Sequence, residues 1–235
     1  MFVSNCEISM FDKSFFYSCQ LALFVGSGTV RADDLSSLIR SRLDIGEYEP
    51  MLIPEQPGMP AEFPRLHINT AEGYRLSMSK ARIDFILELP LGLDKSHIDS
   101  FKVKCEALGS LLGEKGFNFT RIGWVKNAFS QSDTPAQDMI EALAKFSSEQ
   151  VSDFSMSVTK KVTIGDWCAN SLYTITNGVG PAGLTGVVCV RDINNDPLHP
   201  IVIAASQVGR IVEEFDRVAS LDSIELFVNG GEGLF

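Results

Sequence analysis

The segment Arg191-Asp192-Ile193-Asn194-Asn195-Asp196-Pro197-Leu198-His199 gathers two carboxylates, two carboxamides and an imidazole within nine residues. Asp192, Asp196 and His199, with Asn194 beside them, are the oxygen and nitrogen donors that suit a divalent ion. The spacing lacks the glycine and the terminal glutamate of a calcium loop. Asn, Asp and Pro are also ordinary turn residues, so the segment reads first as a turn and second as a metal site. A second set of candidates is cationic and aromatic: Arg121, Trp124 and Asn127 in mid-chain, with Arg75 and Arg82 earlier. Guanidinium groups near an aromatic ring suit a bound carboxylate, phosphate or planar ligand. The plainer reading of Arg121 is a structural ion pair, because a buried cation needs a partner.

Other chemistry is thinly represented. Three histidines, His67, His97 and His199, leave little room for catalytic triads, and His67 and His97 read as structural or solvated. No GxSxG, HExxH or catalytic-cysteine signature is present. The GSG at 26–28 has no Lys-Ser/Thr after it, so it makes a poor phosphate loop. The reading is of a protein without catalytic residues or a cofactor. Five widely spaced cysteines without a CxxC pair suit free thiols in a reducing cytoplasm.

These residues must be positioned by elements that the hydrophobic pattern marks out. The sequence Phe117 to Phe129 predicts a central strand, with Phe117, Phe119, Arg121, Gly123, Val125 and Asn127 on one face. Before it come a buried strand over 14–25, a helix from Asp33, a proline-rich excursion over 47–64, and strands over 65–69, 74–79 and 82–89. A helix opened by Ser96 and Asp99 then carries Ile98, Phe101, Cys105, Leu108, Leu111 and Leu112 on one stripe. After it, Thr134, Pro135 and Gln137 open a helix ending near Gln150. Strands over 153–164, 167–176 and 186–192 follow, then a helix from Ser206 and a short strand over 223–228.

The order is strand, helix, three strands, helix, twice over. It predicts an α+β protein of two β-α-β-β-β-α halves, 1–116 and 117–235, with antiparallel sheets packed on helices and an internal duplication. That order is similar to the TATA-binding-protein and helix-grip topologies, a likeness of topology that carries no function.

LHINTAEGYRLSMSKARIDFILELP, TRIGWVKNAF and VVCVRDINNDP together resemble the landmarks of a sporadically distributed, uncharacterised bacterial family. That family has a mid-chain RxGLRYxNxI-type strand and a DID-type strand before its last helix. Arg121, Ile122, Gly123 and Asn127 match the first landmark, whereas Trp124 and Val125 depart from it. Asp192 and Ile193 match the second, with Asn194 in place of its second aspartate. Members often lie near mobile and phage-defence genes, so the resemblance implies a defence-related or regulatory role and no particular activity.

Charge narrows the partners. The chain has 20 basic and 30 acidic residues, a net charge of −10, and both halves are acidic. Phosphate-tracking nucleic-acid binding is disfavoured, since it rests on clustered Lys and Arg. No run approaches a membrane span or a signal peptide. The expectation is a non-catalytic, cytoplasmic binding protein with a protein partner, as part of a phage-defence or counter-defence system, and a homodimer stays open. A sensor of a nucleotide or other small signal molecule is the alternative, followed by a metal-dependent enzyme using the 192–199 cluster.

Overall fold

The structure, a computed structural model, describes residues 14–144, 151–198 and 201–228. Its fold is α+β: one antiparallel sheet of ten strands with five α-helices. The first part holds β1 (Phe15–Ser27), α1 (Ala32–Arg42), β2 (Met51–Leu52), β3 (Leu66–Asn69), β4 (Tyr74–Met78), β5 (Arg82–Glu88) and α2 (Lys95–Glu114). The second holds β6 (Asn118–Gln131), α3 (Pro135–Leu143), β7 (Ser155–Ile164), β8 (Trp167–Val179), β9 (Thr185–Asn195), β10 (Ile203–Ala204), α4 (Val208–Val218) and α5 (Leu221–Val228). Strands run across the sheet in the order β2-β3-β4-β5-β1-β6-β9-β8-β7, with β10 beside the start of β6. From the central pair β1 and β6, a meander extends outward on either side.

Helices cover one face. Ile83 and Phe85 of β5, Leu21 and Leu23 of β1, Ile122 and Trp124 of β6 and Ile193 of β9 are all fully buried there. Phe101, Cys105, Leu108, Leu111 and Leu112 of α2 meet them, forming the stripe that the sequence predicts. The next layer of contact is α4, through Val208, Ile211, Val212 and Phe215. Gly109 sets how near the two helices come: a Cβ there would stand 2.8 Å from that of Val208 and 2.9 Å from the Ala205 carbonyl oxygen. Burial of this face is the main stabilising term, each large side chain contributing roughly 1.5–3 kcal/mol.

Four local expectations are corrected. The helix α2 is capped by Asp94, not Ser96: the Asp94 carboxylate accepts from the His97 backbone N–H at 2.9 Å, and the His97 ring accepts from the Asp94 N–H. Thr134 does precede α3 with Pro135 at the first helical position, but its hydroxyl donates to Asp138 rather than capping the helix. That helix ends at Leu143, and residues 145–150, which were expected to continue it, lie outside the described residues. Residues 221–228 form α5 rather than a strand, because Ile224, Phe227 and Val228 fall on one helical face and bury it.

The fourth correction is in β6. Phe24 pairs with Arg121 and Val25 with Phe119, so Thr120 is an extra residue, a β-bulge. Alternation breaks there: Phe119 turns into the covered face with Ile122, and Arg121 points to the other side. Among the described residues no helix is long and apolar enough to cross a membrane.

Candidate binding face

The other face of the sheet has a different fate. On β5, Arg82, Asp84, Ile86 and Glu88 are half-exposed, while Ile83, Phe85 and Leu87 between them are buried. The same alternation puts Gln20, Ala22 and Phe24 of β1, Arg121, Gly123, Val125 and Asn127 of β6, and Val190, Asp192 and Asn194 of β9 on this side. Strand β8 adds Asn170, Leu172 and Thr174. Strands stand about 4.8 Å apart, so these five adjacent strands span roughly 19 Å. Among the described residues the chain folds back over it near Phe129, where Gly180 and Gly186 lie against that ring.

Cross-strand register orders the face into rows. One row is Arg82–Phe24–Arg121 across β5, β1 and β6. Both guanidinium carbons lie over the Phe24 ring, at 4.8 Å for Arg82 and 5.1 Å for Arg121. The next row is Asp84–Ala22–Gly123–Asn194–Asn170. Its two central members have almost no side chain, and the polar groups around them are joined. Gln20 donates to Asp84 at 2.7 Å, and Arg82 donates to the same oxygen at 2.9 Å. Arg121 donates to the Asn194 carboxamide oxygen at 2.8 Å, as does Asn170 at 3.2 Å, and the Asn194 amide donates to Asp192 at 2.9 Å.

Of the candidates read from sequence, Arg75, Arg82, Arg121 and Asn127 share this face. Arg75 is ion-paired with Glu88. Trp124 does not belong with them: it is fully buried under α2, 5.6 Å from the Phe101 ring, and its indole N–H donates to Asp216 of α4 at 3.1 Å. As a ligand contact it is corrected to a core residue. Its neighbour Lys126 was missed as a structural group. Its ammonium lies 2.9 Å from Asp216 and 4.1 Å from the centre of the Phe16 ring.

The 191–199 cluster is pulled apart by the pleat. Arg191 turns to the helical side, stacks on Tyr173 at 3.8 Å and donates to the Leu172 and Val218 carbonyl oxygens. Burial holds its pKa below the ordinary value. Asn195 bonds the backbone of β6 in both directions, accepting from the Ile122 N–H and donating to the Thr120 carbonyl oxygen. Asp192 accepts from Asn194, and Asp196 pairs with Lys161 at 2.5 Å and accepts from the Leu198 N–H. His199 lies outside the described residues. Among the described residues no three His, Cys, Asp or Glu side chains converge as a metal site.

The arginines also bear on the sensor alternative: a small anionic ligand held between helix and sheet would need Arg65, Arg75, Arg82 or Arg121 in that cleft. Arg75, Arg82 and Arg121 stand on the face away from the helices, and Arg65 is buried with its guanidinium on the Phe63 and Pro60 carbonyls. Of the thiols, Cys19, Cys105 and Cys189 are buried. Burial pushes Cys19 up to about 12, with Lys126 pulling it back and Asp216 adding to the rise. Burial likewise pushes Cys189 up to about 12. Neither is a nucleophile at neutral pH.

No protein-family model and no curated protein matches the chain.

Proposed function

We propose that this protein works by binding, through the uncovered face of its sheet, as a protein-interaction or regulatory component of a phage-defence or counter-defence system. The observation that carries the reading is the Arg82–Phe24–Arg121 row on the sheet face opposite to α2 and α4, open among the described residues. Such a surface mixes apolar contact from Val125, Val190, Leu172 and Ile86 with oriented polar groups, the composition of a protein interface centre. The sequence landmarks around Arg121 and Asp192 support the defence setting by resemblance. We also read the strand order as the TATA-binding-protein arrangement of two duplicated halves, supported by the outward meander on each side of β1 and β6.

Native mass spectrometry of the protein purified from its host, at low salt and without chelator, tests this reading. A retained polypeptide is expected, and an Arg82→Glu, Arg121→Glu double variant should lose it. A stoichiometric bound mass of a few hundred daltons, unaffected by that double variant, would overturn the interaction reading in favour of a small-ligand sensor.

A further inference from the structure

The two ends of the sheet are finished differently. At one end β2 is two residues long, with Pro50 before it and Pro54 soon after it, and it offers little backbone to another strand. At the other end β7 runs for ten residues without proline or glycine, in unbroken register with β8 from Ser155 opposite Thr176 to Ile164 opposite Trp167. Among the described residues no strand lies on its outer side. A long, regular edge of this kind leaves a row of N–H and C=O groups pointing outward, ready to take a further strand.

The alternation of β7 says which strand fits. Met156, Val158 and Val162 turn to the helical side and pack against the core while staying half-exposed, with Phe154 in line before them and Ile164 buried beyond them. Ser155, Ser157, Thr159, Lys161 and Thr163 are exposed on the other side. A strand laid beside β7 has to carry the same alternation, and a second β7 carries it. Paired antiparallel about a two-fold axis at Thr159, Phe154 of one copy meets Ile164 of the other, Met156 meets Val162, and Ser155 meets Thr163.

Other registers fit less well. A slip of one residue sets the apolar row against the hydroxyl row. An axis at Lys160 or Lys161 brings like charges face to face. With the axis at Thr159, Lys160 lies opposite Val158 and Lys161 opposite Ser157. Lys161 is also drawn off the edge towards β8: it pairs with Asp196 at 2.5 Å, whose own N–H donates to the Cys168 carbonyl oxygen of β8.

We propose that β7 is the interface of a homodimer, pairing with β7 of a second copy around Thr159 so that the two sheets continue as one, with the helices of both copies on the same side. The charge of −10 on each copy opposes their approach, and salt screens it beyond about 8 Å at physiological ionic strength. The pairing does not depend on what the open face binds.

Sedimentation of the full chain at about 0.15 M salt tests this, with Thr159→Lys as the breaking variant and Thr163→Lys as a control of equal charge. Both positions are exposed, so the fold tolerates either change. The wild type is expected to dimerise. Thr159→Lys sets like charges directly opposite each other and should weaken the dimer at least about fivefold, and Thr163→Lys less than about twofold. A second measurement fixes the register. Directly opposed Cα atoms stand about 4.5–5.5 Å apart, within reach of a disulfide. Under oxidation Thr159→Cys should therefore give a covalent dimer that the wild type, with its exposed Cys168, does not form, and Ser157→Cys should give far less. A monomeric wild type, a dimer indifferent to Thr159→Lys, or equal crosslinking at 157 and 159 overturns the proposal. Should Thr159→Lys fail to fold, the crosslinks decide.

Discussion

Lys126 and Arg121 stand five residues apart on one strand and meet opposite fates. Lys126 points under the helices, keeps 4% of its side chain exposed, and is held by Asp216 at 2.9 Å over the Phe16 ring. Asp216 in turn accepts the Trp124 indole N–H and lies 3.4 Å from Lys102 of α2. One carboxylate thus ties α4, α2 and β6 together. Arg121, past a bulge that reverses the pleat, is half-exposed beside an aromatic ring, with one N–H unmatched. The contrast lies in the counter-charge: under the helices Lys126 is a structural pin held by Asp216, whereas on the open face Arg121 meets a neutral Asn194 and no carboxylate among the described residues.

The largest expected effect comes from breaking the pin. Asp216→Ala leaves Lys126 buried without a counter-charge, and loss of about 3–5 kcal/mol is expected in denaturant unfolding. Adding Lys126→Met removes the stranded charge and should recover a good part of the loss. If the double variant is no more stable than the single one, the charge is not what the covered face depends on.

High pH probes the same face through its thiols. Cys19 has an ordinary value of 9.0 in the unfolded chain and is raised to about 12 by burial in the folded one. The unfolded state therefore loses its proton first. The stability tied to this group is whole below pH 9 and is lost as pH climbs from about 9 towards 12, by up to about 1.4 kcal/mol per pH unit. Cys19→Ala should flatten that slope in unfolding curves taken between pH 8 and 11. A slope unchanged by the substitution would mean that the thiol is not shielded as the fold requires.

A smaller effect tests how firmly the covering helix is anchored. Asp94 and His97 close the start of α2 reciprocally. Asp94→Ala should cost about 1 kcal/mol, and Ser96→Ala, at the position that the sequence favoured as the start, clearly less. Equal losses from the two would return the cap to Ser96.

That misplaced cap shows where the sequence was readable. Class and element order follow from short-range pattern: the stripe from Phe101 to Leu112, the alternation of RIDFILEL and the Pro135 helix start are all local. Asp94 escaped because Ser96 and Asp99 offer the same residue types two positions later. The face of Phe119 was misread because a bulge leaves no mark in a strand that alternates plausibly either way. Strand 223–228 was misread although Leu221, Ile224, Phe227 and Val228 already had helical spacing.

The candidate site was half legible for a related reason. Arginines on half-polar strands can be picked out as Arg75, Arg82 and Arg121. Pairing Arg121 with Phe24, however, takes a contact across 97 positions, and sending Trp124 to Asp216 takes one across 92. The segment 191–199 read first as a turn because Asn, Asp and Pro crowd it, yet β9 runs on to Asn195, and a strand sends contiguous residues to opposite faces.

The smallest expected effect is the sharpest test of the contrast. Arg121→Gln removes a hydrogen bond to Asn194 and a stacking contact on Phe24, together worth about 1–2 kcal/mol. It also removes the buried Nε that has no acceptor, which costs the wild type a comparable amount, about 1–3 kcal/mol. The two oppose each other, so unfolding free energy should fall by no more than about 1 kcal/mol, measured beside Asp216→Ala under the same conditions. A loss approaching that of Asp216→Ala would make Arg121 a second structural pin. The two faces would then differ in exposure alone, and the uncovered one would have no claim to be a working surface. A near-zero change, with partner retention lost, would put the guanidinium where the contrast places it, outside the forces that hold the fold and inside those that select a partner.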